Sequence, residues 1–232
     1  VLVAFACFSV LVRLVLSILP LLVPWAVLVG LVRCSGSLHR DGGHRGWTLT
    51  ITSTSGAVAR RSFSLIQHVL KLRPEIAVRA AGGVHRQMTY QLRLASSRRV
   101  AEDLALIDAQ GRLQTDLPIT ADDPRAPHLL RGAVLGCGSF SMPGRYAHLE
   151  FTPGSPQTAT ALATLLRHHL THQVTVVGDE GTRVVVKSGE AIGEILVLIG
   201  AVGAFLRWDE HRMRRALRED ATRLANADAA NL

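Results

Sequence analysis

The sequence lacks the residue groupings on which most enzyme active sites and metal centres depend. Its three cysteines, Cys7, Cys34 and Cys137, have no Cys-x-x-Cys spacing, and its ten histidines are scattered, so no metal-ligand cluster is predicted. No serine is arranged with a histidine and an acid as a hydrolase triad requires, and no glycine-rich loop would hold a phosphate. We therefore expect a protein that is not an enzyme and that has neither a cofactor nor a metal. The cysteines are expected to be small core residues in a reducing compartment.

Acidic residues are scarce in one region of the chain. Between residues 33 and 99 there are 12 Arg or Lys and only two acids, Asp41 and Glu75, a balance of +10. The remaining residues carry 14 basic and 16 acidic groups, so the whole excess of +8 lies in this region. Such an asymmetry favours phosphate binding, and a solvated face is the alternative interpretation. The candidate DNA-binding residues are Arg40, Arg45, Arg60, Arg61, Arg79, Arg86, Arg93, Arg98 and Arg99.

What the sequence does contain is an internal repeat. The stretches 28–38 and 130–140 match glycine to glycine, each pair 102 positions apart. A glycine inside a helix costs about 1 kcal/mol relative to alanine, so these glycines need a packing reason. The pattern predicts two motif helices that cross closely, and the packing residues are Gly30, Gly36, Gly132 and Gly138.

The rest of each copy supports the duplication. Hydrophobic periodicity predicts two strands, a helix, a hairpin and a last helix after each motif helix. The predicted hairpins are Ile76–Arg79 with Tyr90–Leu94 and Val174–Val177 with Arg183–Lys187, and the last helices are Val100–Ile107 and Ala191–Ile199. In the first hairpin, Arg93 shares a strand face with Gln91. The predicted fold class is α+β, with two pseudo-repeats of αββαββα.

The repeated core, Leu-x-Gly-x-x-x-x-x-Gly-Ser-(Leu/Phe), resembles the LAGLIDADG homing endonucleases in their two-repeat form. In that family, the acid before the last motif glycine holds the divalent metal that cleaves DNA. Ser35 and Cys137 stand at those positions here, and Arg33 and Leu135 replace the earlier acid. The resemblance therefore implies the endonuclease fold in a catalytically degenerate form. Another stretch with similar residues, Leu106–Gly111, has Gln110 at the metal position and is interpreted as a helix C-terminus.

A narrower resemblance covers most of the chain. The motifs are Cys34–His39, Leu130–Ser139, Tyr146–Phe151, Lys187–Ile192, Ile199–Ala201 and Asn226–Asn231. Together they are similar to the WhiA family, bacterial regulators whose endonuclease-like domain precedes a DNA-binding helix-turn-helix. The resemblance implies a cytoplasmic, nucleoid-associated DNA-binding regulator of transcription in sporulation, cell division and chromosome segregation. Its partners would be DNA and transcription or cell-division proteins. No helix-turn-helix follows in this sequence, and the tail 208–232 is predicted to be one polar helix.

The N-terminal segment has almost no charge. Residues 1–32 carry only Arg13 and are otherwise mostly apolar, with breaks at Pro20 and Pro24. Three interpretations stay open: an anomalous soluble segment, a membrane insertion through 14–32, and a misread frame or gene start. Membrane insertion is less favoured because the fold needs the second part of this stretch in its core. A membrane-tethered domain that binds another protein is the competing function, with a membrane partner through residues 1–32.

These patterns also set the expected domain boundaries. They are an apolar segment at 1–23, repeat 1 at 24–113, a linker at 114–127, repeat 2 at 128–207 and a helical tail at 208–232.

Overall fold

The computed structural model describes residues 22–40, 46–80, 82, 87–96, 98–141, 147–178 and 181–230. Within the first part of the chain a helix, α1 (22–35), is followed by two strands, a helix, two strands and a short helix. These are β1 (Gly36–Arg40), β2 (Trp47–Ser53), α2 (Gly56–Leu70), β3 (Glu75–Arg79), β4 (Thr89–Ser96) and α3 (Arg98–Asp103).

The second part repeats this order. Its elements are α4 (Ala126–Cys137), β5 (Gly138–Phe140), β6 (Leu149–Phe151), α5 (Pro156–His169), β7 (Thr175–Val177), β8 (Arg183–Val186) and α6 (Gly189–Leu198). A long helix, α7 (Val202–Ala230), follows. The predicted fold class, two successive units of αββαββα, is therefore confirmed.

Each unit contains one antiparallel sheet with the same strand permutation. The strand orders are β1-β2-β4-β3 and β5-β6-β8-β7, so the two hairpins of a unit meet through their second and fourth strands. One face of each sheet is apolar: Leu49, Ile51, Leu92 and Leu94 are buried in the first, and Leu149, Phe151, Val184 and Val186 in the second. The central helix of each unit, α2 or α5, packs on its own sheet. The alternation along each strand thus separates a core face from an open face.

Serine N-caps begin the equivalent helices of the two units. The Ser55 hydroxyl accepts a hydrogen bond from the Val58 amide at the start of α2, and Ser155 accepts one from Thr158 at the start of α5. Each bond satisfies one of the amides that a helix leaves unpaired in its first turn. The repeat therefore extends to local start signals as well as to hydrophobic spacing.

The apolar stretch that includes α1 lies in the protein core from residue 26 onward. The side chains of Leu28, Val29 and Leu31 have no exposed surface, and Val32 is 2% exposed. This burial contradicts membrane insertion of residues 26–32. Among the described residues, no helix combines the length and apolar character needed to cross a membrane. The predicted apolar segment 1–23 lies outside the described residues except for Leu22 and Val23.

The end of the first unit differs from the prediction. The sequence predicts the last helix over Val100–Ile107, but α3 ends at Asp103 because Ala105 adopts a left-handed backbone, φ 53°. The amide of Leu106 then bonds the carbonyl of Ala101, and the amide of Ala105 bonds that of Glu102. This pair of bonds is the Schellman ending of a helix. The motif-like stretch 106–111 is therefore a loop beyond the helix, which corrects its interpretation as a helix C-terminus.

The tail helix begins earlier than predicted. The polarity of the sequence predicts a helix from residue 208, but α7 starts at Val202 and Trp208 lies inside it. Trp208 is only 7% exposed, and its indole N–H donates to the carbonyl of Gly189 at 3.4 Å. The first two turns of α7 thus pack on the second unit, and the exposed polar part follows them.

Candidate nucleic-acid interface

The two motif helices touch backbone to backbone at Gly30 and Gly132. A Cβ atom added at Gly30 would lie 2.0 Å from the carbonyl oxygen of Leu129, and one at Gly132 would lie 2.0 Å from that of Val27. Both distances are far inside van der Waals contact, so neither position has room for a side chain. The crossing of α1 and α4 therefore requires glycine at both sites, as the sequence reasoning expected of these two residues.

The other motif glycines have a different role from the one predicted. A Cβ atom at Gly36 would meet the carbonyl oxygen of Val32 at 2.5 Å, and one at Gly138 would meet that of Val134 at 2.6 Å. These contacts are within the same motif and not across the crossing, because both glycines begin the strands that follow the helices. Gly136 was missed as a packing residue: its added Cβ atom would lie 2.8 Å from the Leu31 carbonyl oxygen.

The residues at the metal positions of the motif offer no anionic oxygen. The Ser35 hydroxyl donates to the Leu31 carbonyl at 2.9 Å, within its own helix turn. Cys137 is a free, half-buried thiol. A hard divalent cation prefers carboxylate oxygens, so this pair does not fit the metal of the endonucleases. Within the described ranges, no group of three or more His, Cys, Asp or Glu could hold a metal ion.

Arg33, which replaces the earlier acid of the motif, has a structural role. Its guanidinium donates to the carbonyls of Ala105 and Gln114, in the segment that leads out of the first unit. Burial lowers the pKa of Arg33, and the carboxylate of Asp116 partly opposes that shift. The arginine therefore ties α1 to this segment, a role that its sequence position does not reveal.

The Asp108 carboxylate of the motif-like loop 106–111 forms hydrogen bonds with the same loop and with Arg112, which follows it. It accepts hydrogen bonds from the amides of Gln110 and Arg112, each at 2.9 Å, and from the Arg112 side chain. These bonds, with the Arg112 amide contributing most, lower the pKa of Asp108. The carboxylate stabilises a turn, as expected for an aspartate that precedes such a bend.

The open face of the first sheet is broad and polar. Register places Arg93 of β4 opposite Thr50 of β2 and Glu75 of β3, and Gln91 opposite Thr52 and Ala77. By the same register the first open face consists of Ser37, His39, Thr48, Thr50, Thr52, Glu75, Ala77, Arg79, Thr89, Gln91, Arg93 and Ala95. Arg93, Gln91 and Arg79 are exposed on it. Their donors share one surface with hydroxyl groups and with one carboxylate.

The nine candidate arginines do not share this surface. Only Arg79 and Arg93 lie on the first open face; Arg45 and Arg86 lie outside the described residues. Arg60 and Arg61 are exposed on α2, which packs against the opposite, apolar face of the sheet. Arg40 is the last residue of β1. It lies two positions after Leu38 and therefore on the same, apolar side of the sheet. The sequence does not reveal that these arginines lie on separate surfaces, because residue type does not distinguish an arginine on a helix from one on a strand.

The arginines of α3 are also displaced from the first open face. Arg98 pairs with Glu102 at 2.8 Å and donates to the carbonyl of Ala109, so its charge stabilises the helix and the following loop. Arg99 is exposed on the same short helix. The position of Ser37 and His39 on the first open face was not predicted from the sequence. Their alternation with Leu38 along β1 could have indicated it.

The open face of the second sheet is small and neutralises its own charge. Register aligns Ser139, Glu150, Val185 and Thr175 across the four strands. Glu150 accepts from His148 at 3.0 Å and lies 3.6 Å from Arg183. The hydrogen bond from His148, then the Arg183 charge, lower the pKa of Glu150 against the effect of burial. This second open face thus holds its exposed arginine beside an internal acid.

An ion pair in the predicted linker supports the start of α4. Arg125 contacts Asp123 at 2.6 Å, and its guanidinium lies 5.4 Å from the centre of the Trp25 ring on α1. The hydrogen bond from Arg125 lowers the pKa of Asp123 to about 2. The linker is therefore connected to both motif helices, which sequence reasoning missed.

The fold and the motif helices define a LAGLIDADG-type protein whose metal positions hold no carboxylate. Two family models match in tandem: the WhiA N-terminal LAGLIDADG-like domain over residues 23–107 and the WhiA LAGLIDADG-like domain over residues 126–218. The chain belongs to the WhiA family.

Curated relatives carry the name probable cell division protein WhiA. The chain is 38% identical to the one from Frankia casuarinae over 212 residues, which covers 89% of this chain and 64% of the relative. It is 36% identical to the one from Streptomyces griseus over 207 residues, 87% of this chain and 62% of the relative. The chain thus spans somewhat less than two thirds of the length of these proteins.

Solved structures share the fold. Full-length WhiA from Thermatoga maritima aligns with a TM-score of 0.63 at 21% identity, over 90% of this chain and 68% of that one. The homing endonuclease I-WcaI, bound to its DNA recognition sequence, aligns with a TM-score of 0.55 at 9% identity, over 78% and 81%. Recognition of the family and of the endonuclease-like fold from the sequence is therefore confirmed.

Proposed function

We propose that this chain is the endonuclease-like part of a DNA-binding transcription regulator, and that its first open face contacts the phosphodiester backbone. The observation that carries the proposal is the register that places Arg93, Gln91 and Thr52 on one exposed sheet surface. Guanidinium, amide and hydroxyl donors on a common face are the groups that bind phosphate oxygens. I-WcaI, a protein of the same fold, is bound to DNA, which supports DNA as the ligand.

Glu75 limits how tightly this surface binds. It lies directly opposite Arg93 in the β3–β4 register, so its carboxylate opposes an approaching phosphate. A surface with one acid beside its arginines favours moderate affinity that falls steeply with salt. Contacts of this kind position a duplex and carry little sequence information.

The proposed function is not catalytic. Hydrolysis of DNA by a metal needs carboxylates that hold the cation and activate the attacking water. The motif positions supply the Ser35 hydroxyl, which is bonded to its own helix, and the Cys137 thiol. We expect no cleavage of supercoiled plasmid by the full chain with Mg²⁺ or Mn²⁺. Cleavage that is abolished by EDTA would contradict the proposal.

Family membership supports a wider role for this chain. The curated relatives are named cell division proteins. We place this chain in the transcriptional control of division, sporulation and chromosome segregation, at the nucleoid in the cytoplasm. Its partners would be DNA and proteins of the transcription or division machinery.

The test is the salt dependence of binding to a 30-base-pair duplex by the full chain. Each phosphate contact contributes about 0.9 to the slope of log K against log salt concentration. Replacing both Arg79 and Arg93 by Gln should therefore reduce the slope by roughly 1.8 if each contacts one phosphate.

The matched control removes two charges from the other side of the sheet. Arg60→Gln with Arg61→Gln has the same change in net charge but lies on α2. We expect its slope to stay within about 0.5 of the unchanged protein. Equal losses for both pairs would show that only net charge matters, and a slope near zero for the unchanged protein would contradict DNA binding by this chain.

A further inference from the structure

Two free cysteines meet where the motif helices end. Cys34 lies in the last turn of α1 and Cys137 is the last residue of α4. A Cβ atom added at Gly136, the residue before Cys137, would lie 2.9 Å from the Cβ of Cys34. The same close approach that requires glycine at the crossing therefore brings the backbone next to Cys137 against Cys34, although the two cysteines are 103 positions apart in the chain.

The two thiols differ in accessibility. Cys34 is 8% exposed, whereas Cys137 is half-buried. The neighbouring Cys137 thiol, followed by burial, raises the pKa of Cys34. Cys34 is therefore a protonated, protected thiol at neutral pH, and Cys137 is the member of the pair that an oxidant can reach.

We propose that Cys34 and Cys137 form a redox-sensitive modification site in which hydrogen peroxide closes a disulfide between the two motif helices. In the first step the Cys137 sulfur attacks the O–O bond, which gives a sulfenic acid and one water. In the second step the Cys34 sulfur displaces the hydroxyl group of that sulfenic acid. The S–S bond forms, and the Cys34 proton leaves with the hydroxyl group as a second water.

The bond would join the two units at their shared crossing. It would close a loop of roughly 100 residues, and long loops are those that a disulfide constrains most in the unfolded chain. In a reducing compartment such a bond is transient, so the site would report oxidative stress and not serve as a permanent brace. This inference does not depend on DNA binding by the first open face.

The test is disulfide mapping of the full chain after treatment with hydrogen peroxide. Trypsin separates the three cysteines into peptides 1–13, 34–40 and 132–145, so mass spectrometry distinguishes every possible pairing. We expect the peptides 34–40 and 132–145 to be linked, and the link to disappear with dithiothreitol. Thermal unfolding of the oxidised protein should shift upward by about 5–10 °C and return on reduction.

The variants Cys137→Ser and Cys7→Ser serve as the test and its matched control. Cys137→Ser should abolish both the linked peptide and the thermal shift, and Cys7→Ser should leave both unchanged. Because the mapping itself uses the unchanged protein, it does not depend on how a variant folds. Three results would overturn the inference: a link that includes peptide 1–13, a disulfide between two chains, or Cys137 oxidised to sulfinic acid without any bridge.

Discussion

The two units have one element order and very different open faces. Strands of the first sheet have five to eight residues, whereas those of the second have three or four. The first open face carries Arg79, Gln91 and Arg93, and the second holds Arg183 beside Glu150. The duplicated scaffold was thus retained where the units pack, and the surfaces that face outward diverged.

The crossing of the motif helices is where the units are most alike. A Cβ atom added at Gly30 would lie 2.0 Å from the Leu129 carbonyl oxygen, and one added at Gly132 would lie at the same distance from the Val27 carbonyl oxygen. A backbone contact has no side chain to vary, so both copies must retain the same residue. Variants at equivalent positions of the two units can therefore distinguish the shared helix crossing from features that only one unit has.

The largest expected effect is at this crossing. Gly30→Ala and Gly132→Ala each place a Cβ atom against a backbone carbonyl, so each should destabilise the protein by about 3 kcal/mol or more. Chemical denaturation would measure the two losses, which should be similar. The control is Gly203→Ala on α7, where the nearest atom is the far end of Arg207 at 3.9 Å. A large loss at one crossing glycine alone would contradict a symmetric contact.

The next effect concerns α7, which the first unit lacks. Trp208→Ala removes the buried anchor of this helix and should cost about 3 kcal/mol. Limited trypsin digestion should then cleave sooner at the arginines of α7. Leu217→Ala is the control, because Leu217 is 69% exposed on the same helix. Unchanged digestion of the Trp208 variant would show that α7 does not need this anchor.

A smaller effect compares the ends of the last helices. Ala105 and Gly200 both adopt a left-handed backbone, with φ of 53° and 71°, and both close the same pair of helix-end hydrogen bonds. Glycine adopts this conformation without the steric cost that alanine incurs, so Ala105→Gly should stabilise by about 1 kcal/mol. Gly200→Ala should destabilise by a similar amount. Thermal unfolding of both variants checks the pair, and shifts of the same sign would contradict the equivalence.

The smallest effect tests which open face approaches DNA. Glu75→Gln removes the carboxylate opposite Arg93 and should tighten duplex binding about twofold to fivefold at low salt. Glu150→Gln removes the acid of the second open face and should change binding by less than about twofold. Fluorescence anisotropy at 50 mM and 200 mM salt would distinguish the two variants. Equal tightening by both would assign DNA contact to both faces and remove the functional difference between them.

The sequence predicted the fold well because its strongest signals are local. Glycine spacing, apolar alternation and helical periodicity each reflect contacts that recur along the chain, and they predicted the αββαββα order in both units. The end of α3 could not be predicted, because it depends on a left-handed backbone at Ala105. A glycine at this position would have indicated such a backbone, but an alanine does not. The start of α7 was also missed, since Trp208 is buried through tertiary contacts, among them its hydrogen bond to the distant Gly189.

The candidate site was less predictable than the fold. A charge balance of +10 in residues 33–99 is a property of the sequence, but it does not say which side of a sheet each arginine occupies. Strand register places Arg93 on the open face of the sheet, whereas Arg60 and Arg61 lie on α2 at its other face. Arg98 forms an ion pair with Glu102. Side chains that share a surface come from several strands, so only strand pairing brings them together.

By itself, the sequence determined that this protein is a duplication, that glycines mark its central crossing and that its metal positions hold no carboxylate. These are statements about residue identity and spacing, which chain order preserves. The tertiary structure alone decided that Arg33 bonds the Ala105 carbonyl and that Cys34 lies beside Gly136, the residue before Cys137. It also decided that, among the described candidate arginines, only Arg79 and Arg93 lie on the first open face. The physical reason is that such contacts join positions far apart in the chain, and their distances arise only when the two units pack.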